Sequence, residues 1–168
     1  MKLILTRHAK SSWDDLSSSD HERLLTRRGK VDAGQIGAWL MMGDHVPATV
    51  MSSTAERAKW TSALIIENMT PRPEVTFDSG LYHASPDAIL AQIRRAPPGD
   101  LMIVGHNPGI SALATLLLPT RPDHEKFAKY PTAATTVLNT NVSRWRDMGF
   151  SDATLIDFVV PRDLDDPE

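Results

Sequence analysis

Short apolar runs that stop abruptly at polar residues set the pattern of this chain. Leu3-Ile4-Leu5-Thr6 ends at Arg7-His8-Ala9-Lys10-Ser11. Val46 to Met51 runs into Ser52-Ser53-Thr54-Ala55-Glu56-Arg57, and Leu101-Met102-Ile103-Val104-Gly105 into His106-Asn107-Pro108-Gly109. Such runs suit strands buried on both faces. Between them the spacing is helical. Thr26 is a good N-cap for a helix over Arg27–Met42 that buries Ala33, Ile36, Gly37 and Leu40, with Gly43 and Pro47 ending it. Ser53 and Glu56 have capping-box spacing, which predicts a helix from about Thr54 to near Asn68. Ser85-Pro86-Asp87 opens a third helix, presenting Ile89, Leu90 and Ile93 to the core. Asn107 as N-cap and Pro108 as first helical residue open a fourth, with Ile110, Leu113, Ala114 and Leu117 on one face. Glu74–Phe77, Ala134–Leu138 and Thr154–Val160 read as further strands. Pro119 to Pro131 reads as a long mobile loop, and Asp163 to Glu168 as an acidic, frayed tail.

Strands alternating with helices predict an α/β fold, a mostly parallel central sheet with helices on both faces. No repeat or linker interrupts the chain, so residues 1–168 read as one domain. In this architecture the residues after the first, second and fourth strands emerge on one edge, where open α/β sheets bind ligands. Those residues are Arg7-His8, Arg57 and His106.

Composition narrows the partners. A net charge of -3 over 168 residues predicts no general attraction to nucleic acid or anionic membrane. The absence of cysteine excludes disulfides, thiolate metal sites and a Cys nucleophile. The N-terminus lacks a signal-peptide pattern and no apolar stretch approaches the ~20 residues of a membrane span, so a soluble cytoplasmic protein is expected.

Taken singly, each polar group has a plain structural reading. A His after a strand usually satisfies loop carbonyls, and an Arg on a helix usually pairs with a neighbour such as Glu56. Their convergence discriminates. Two Arg and two His with no carboxylate in the motifs suit no zinc site, because guanidiniums repel the metal. Neither a G-x-S-x-G elbow nor a G-x-x-x-x-G-K-[ST] loop is present. A tetrahedral oxyanion fits: a phosphoryl group held by Arg7, Arg57 and His106 while His8 attacks in line. Arg7, a cation beside the imidazole, is expected to keep His8 neutral.

At these residues the sequence resembles the histidine phosphatase (phosphoglycerate-mutase-like) superfamily, and most its small SixA-type branch of protein-histidine phosphatases. Arg7-His8-Ala9 matches the Arg-His-Gly signature and Leu25-Thr26-Arg27-Arg28-Gly29 the Leu-Thr-x-x-Gly helix entry. Ser53-Thr54-Ala55-Glu56-Arg57-Ala58 matches Ser-x-x-x-Arg-Ala, and Val104-Gly105-His106-Asn107-Pro108 carries the second histidine. The resemblance covers roughly the whole chain and implies a three-layer sandwich. It makes His8 the nucleophile that becomes a transient phosphohistidine, with Arg7, Arg57 and His106 holding the phosphoryl oxygens. Arg23 is similar to a further phosphate-contacting Arg, although Arg23-Leu24-Leu25 stands where Arg-Pro-Leu is usual. Lys10 and Ser11 either line the pocket or are solvated. No metal and no organic cofactor are implied.

Two departures bear on substrate. Ala9 replaces the signature glycine, an exchange tolerable where φ is negative. Mutases and many phosphomonoesterases of the superfamily carry an acid after the third strand, whereas Gly80-Leu81-Tyr82-His83-Ala84 has no carboxylate in register. His83 or Asp87 could substitute. General acid help is worth ~10²–10⁴-fold for an alkoxide, so its absence favours a phosphoramidate. The chain also lacks the long insertions that roof metabolite phosphatases. The expected substrate is phosphohistidine on a signalling or phosphotransfer protein of the histidine-phosphotransfer type. The alternatives are a small-molecule phosphomonoesterase and a non-catalytic phosphoprotein-binding module.

Overall fold

The computed structural model describes residues 1–165; Asp166–Glu168, the outer half of the expected acidic tail, lie outside the described residues. Six strands form one sheet in the order β3-β2-β4-β1-β5-β6. They are β1 (Lys2–Arg7), β2 (Thr49–Ser53), β3 (Glu74–Asp78), β4 (Leu101–Gly105), β5 (Thr135–Thr140) and β6 (Ala153–Val159). The first four in that order pair in parallel, whereas β5 pairs antiparallel with β1 and β6 antiparallel with β5. The expected α/β architecture with a mostly parallel sheet is thus the observed one.

Four helices cover the sheet: α1 (Arg27–Met42), α2 (Glu56–Ile66), α3 (Pro86–Ile93) and α4 (Gly109–Leu116). Because strand side chains alternate between faces, Ile4, Val50, Met102 and Val104 meet α1 and α2 through Ala33, Ile36, Leu40, Ala58 and Ile65. Leu3, Leu5, Leu101 and Ile103 meet α3 and α4 through Ile89, Ile93, Ile110 and Leu113 on the other side. The result is three layers. Continuous apolar runs follow from it, since both faces of β1 and β4 are excluded from water and each buried Leu or Ile contributes ~2 kcal/mol.

Several predicted boundaries shift for local reasons. Pro47 has no N–H to give a ladder, and β2 starts at Thr49 rather than Val46. Ser53 closes β2 and is fully buried, so α2 begins at Glu56 after Ala55 without the predicted capping box. The Ser53 hydroxyl accepts from the Ala55 amide at 3.2 Å, and Glu56 pairs with Lys59 instead. Asn107 does not cap α4; its Nδ2 donates to the Lys129 and Tyr130 carbonyls, and Pro108 takes the cap position. The Pro119–Pro131 segment is not the loose loop expected. It is pinned by the fully buried Phe127 and Tyr130, and the Tyr130 hydroxyl donates to the Leu5 carbonyl at 2.9 Å. The inner part of the acidic tail is held too, with Asp165 paired to Arg28 at 2.8 Å.

The strand ends place the site. Arg7 lies opposite Gly105, and Ser52 opposite Val104, so β1, β4 and β2 finish side by side. α1 enters tightly against the chain leaving β1: a Cβ on Gly29 would come within 2.2 Å of the Lys10 carbonyl oxygen, an approach only glycine permits.

Candidate active site

The backbone of His8 is fixed from two sides. Its amide donates to the Gly105 carbonyl of β4, and the Ala133 amide donates to the carbonyls of both Arg7 and His8. The next amide, of Ala9, donates to the Thr61 hydroxyl at 2.9 Å, which itself donates to the Arg57 carbonyl at 2.6 Å. Thr61 on α2 therefore ties the β1 end to the helix carrying Arg57. Ala9 is fully buried and lies outside the left-handed region, so its methyl is accommodated as expected.

The imidazole of His8 has one assigned tautomer by its partners. Nδ1 faces the Ala9 carbonyl at 2.7 Å, and a carbonyl only accepts, so Nδ1 carries the proton. Nε2 keeps its lone pair and faces Arg57 Nε at 3.3 Å. Arg57, only 3% exposed on the first turn of α2, also donates from Nη2 toward His106 Nδ1 at 3.4 Å. His106 Nε2 lies 2.8 Å from the Ser53 hydroxyl, and the two imidazole rings are 5.1 Å apart. Arg7 donates from Nη1 to the Tyr130 carbonyl at 3.1 Å, while its buried Nε has no acceptor among the described residues. A buried guanidinium donor left without an acceptor is suited to an arriving oxyanion.

Arg7, His8, Arg57 and His106 are thus brought together. The motifs themselves contribute no carboxylate, as expected, but the polar loop after β1 delivers one from outside them, Asp20. Its Oδ2 accepts from Arg57 Nη2 at 3.0 Å and from the Tyr82 hydroxyl at 2.6 Å, and its carbonyl from Arg57 Nη1 at 2.6 Å. Arg23 joins through the same carboxylate, donating from Nη1 to Oδ1 at 3.0 Å, and stacks on Trp13 with 3.3 Å to the ring centroid. His83 Nε2 lies 3.3 Å from Asp20 Oδ2, on the rim. Asp87 is exposed in the first turn of α3 and takes no part in this cluster. Ser11 is bonded to Arg23, whereas Lys10 is exposed and lines a neighbouring groove. Asp20, Thr61 and Tyr82 are the site residues the motifs did not disclose, and Ser53, which stands in one of them, read there as a helix cap; for Asp20 the one signal is its spacing three residues before Arg23.

Burial dominates the electrostatics. The pKa of His8 is lowered to about 3, first by desolvation against the opposing Ala9 hydrogen bond, then by Arg57, and only after that by Arg7. Arg7 is therefore a lesser cause than its adjacency suggests. His106 is also lowered to about 3, by burial and then by His8 and Arg57. Asp20 is held far below the ordinary carboxylate range, first by the Tyr82 hydroxyl, then by Arg23 and Arg57. Both imidazoles are neutral in the folded state down to about pH 3 but titrate near 6.5 when unfolded. The unfolded chain thus binds more protons between those values, and stability falls on acidification through that window, by up to about 1.4 kcal/mol per pH unit for each ring. Urea unfolding at pH 7.5 and pH 5 should show this loss. Equal stability at both would mean that the rings are charged in the folded protein.

Among the described residues no group of three His, Cys, Asp or Glu is placed to hold a metal ion, and no helix is long and apolar enough to cross a membrane. His8, Arg57 and His106 thus cluster at the carboxyl edge of a three-layer α/β sheet. Residues 3–84 match the family model of the histidine phosphatase superfamily (branch 1). The uncharacterized protein Rv1276c of Mycobacterium tuberculosis is 35% identical over 165 residues, covering 93% of this chain and 99% of that protein. A Nakamurella multipartitia chain assigned as a phosphohistidine phosphatase SixA has a TM-score of 0.76 at 28% identity, over 95% of either chain. The protein histidine phosphatase SixA solved with tungstate reaches 0.78 at 18% identity, over 98% of this chain and 99% of that one. A phosphoserine phosphatase of Entamoeba histolytica solved with 3-phosphoglyceric acid reaches 0.61 at 16%, over 94% and 95%. At those last two identities the likeness is one of fold. The chain belongs to the histidine phosphatase superfamily, which supports phosphatase chemistry, and it shares the fold of the SixA-type phosphohistidine phosphatases.

Proposed function

We propose that the protein removes phosphoryl groups from phosphohistidine on another protein, through a phosphoenzyme at His8 Nε2. The observation that carries this reading is the lone pair of a neutral His8 Nε2 presented among Arg7, Arg57 and His106. In this reading Arg7 Nε and Arg57 take the phosphoryl oxygens. Arg57 Nη2 turns from His106 Nδ1 to the phosphoryl group, and the dianion draws a proton onto that ring nitrogen, so that His106 becomes a third donor. Water then hydrolyses the phosphoenzyme with His8 as leaving group. Among the described residues no protonated carboxylic acid stands at the site, since Asp20 is ionised, and this favours a P–N over a P–O bond. The His83–Asp20 pair supports a second reading, a phosphomonoesterase of small molecules with His83 as acid.

A groove of about 500 Å³ beside the site favours a protein substrate. Its lining carries Lys10, Lys129 and Arg162, with Lys126 paired to Glu125 and Arg28 paired to the lining carboxylates Asp32 and Asp165. In a chain of net charge -3 this is a local concentration of cations, fit for an acidic surface around the phosphorylated residue. The test compares phosphate release from a phosphorylated histidine-phosphotransfer protein, free phosphohistidine and para-nitrophenyl phosphate. Phosphohistidine should be the faster class. The Lys10→Glu/Lys129→Glu variant should raise KM for the phosphoprotein about tenfold and leave free phosphohistidine unchanged. Preference for the ester would establish the phosphomonoesterase, and phosphoprotein binding with no turnover a binding module.

A further inference from the structure

We propose that Asp20 sets the substrate class of this site, its carboxylate holding the leaving imidazole of phosphohistidine in the protonated form so that the ring departs neutral. This role rests on the phosphohistidine reading above. One guanidinium joins the two ends of the reaction: Arg57 donates to the attacking His8 Nε2 from Nε at 3.3 Å, to the Asp20 carboxylate from Nη2 at 3.0 Å and to the Asp20 backbone carbonyl from Nη1 at 2.6 Å. A phosphoryl group bound along that guanidinium has His8 on one side and the carboxylate toward the other. In-line displacement requires the leaving group opposite the nucleophile.

The surroundings of Asp20 fit an imidazole better than an alcohol. Its side chain is 36% exposed, so an incoming group can reach it. Beside it Tyr82 stacks on His83 at 4.0 Å between centroids and meets His21 edge-on at 4.8 Å, an aromatic wall for a flat ring. A fixed carboxylate next to a phosphoryl dianion opposes binding through like-charge repulsion. Phosphohistidine offsets that repulsion with a positive ring, and a phosphate ester brings no such charge.

The chemistry balances without a proton donor on the enzyme. The ring nitrogen not bonded to phosphorus carries a proton and donates it in a hydrogen bond to Asp20. His8 Nε2 forms its bond to phosphorus as the P–N bond breaks, and that electron pair returns to the substrate ring. The proton stays on the far ring nitrogen, and a neutral imidazole leaves rather than an imidazolide anion. Asp20 stays ionised throughout. A structural role would differ, since a carboxylate that only clamps Arg23 and Arg57 would affect every phosphoryl substrate alike.

The experiment measures kcat for free phosphohistidine and for para-nitrophenyl phosphate, across pH, in wild type, Asp20→Asn and Asp20→Glu. Loss of one charge-assisted hydrogen bond should lower phosphohistidine turnover by about ten- to a hundredfold more than ester turnover in Asp20→Asn. The alkaline limb of the phosphohistidine kcat profile should move to lower pH, because the bound ring loses its proton more readily. Asp20→Glu, which keeps the charge, should recover part of the selectivity. Inhibition by inorganic phosphate should tighten in Asp20→Asn as the repulsion is removed. Parallel losses on both substrates with an unmoved pH limb would overturn the role of Asp20 and leave the phosphatase reading intact. A wild type that releases no phosphate from phosphohistidine would overturn that reading, and the role of Asp20 with it.

Discussion

His8→Ala is expected to abolish phosphate release, by at least about 10⁴-fold, and to leave no labelled phosphoenzyme. The size of the effect follows from what is removed: the attacking nitrogen itself, with no neighbour able to replace it. His106 Nδ1 is occupied by Arg57 Nη2 and its Nε2 by Ser53, so the second imidazole is not poised to attack in its place. Arg7, Arg57 and Arg23 remain, and the variant should still bind phosphoprotein. That retained binding separates loss of chemistry from loss of fold. Rapid quenching with labelled phosphohistidine substrate should trap an acid-labile, base-stable phosphoryl group on wild type and none on the variant. Undiminished labelling of the variant would place the nucleophile elsewhere.

Arg57→Ala is expected to lower kcat/KM by about 10³-fold, and Arg57→Lys to recover little of it. Removal of a single oxyanion donor from a preorganised site costs about 10²–10³-fold. Arg57 does more than donate to oxygen. Its Nε holds His8 Nε2, its Nη2 reaches His106 and its two terminal nitrogens carry Asp20. A lysine ammonium has the charge without the planar fork and cannot serve these directions together. The variant has a second signature. Arg57 is among the causes that lower both imidazoles, but burial is the larger one for each. NMR titration of Arg57→Ala should therefore show both rings moving upward from about 3 without reaching the ordinary value near 6.5. Unchanged ring titrations would show that Arg57 does not act on them electrostatically.

The sequence by itself determined the groups that local rules govern. The end of β1 was legible because a continuously apolar run meets Arg7-His8 at one bond, and α1 because Thr26 caps it, its hydroxyl accepting from the Gly29 amide. Arg7, His8, Arg57 and His106 could be assembled in advance because a parallel sheet carries the ends of its strands to one edge, whatever the loops do. Even where a helix start was misplaced, as at Ser53 and Asn107, the site residue stayed in the first turn or just before it.

Tertiary structure alone decided how those groups are held. Asp20 lies 37 residues from Arg57 and 62 from Tyr82 in the chain, and Arg7 lies 123 from the carbonyl of Tyr130. The loop that delivers Asp20 is polar and has no periodicity, so no local signal states which of its carboxylates turns inward. Asp14 and Asp15 are exposed in the same loop. The choice is made by electrostatics at a distance: Arg23 and Arg57 share one desolvated region, and the nearest carboxylate that reaches both offsets their charge. The Ser53 hydroxyl was diverted in the same way, from a helix cap to His106, because a buried imidazole must find a partner that water would otherwise supply.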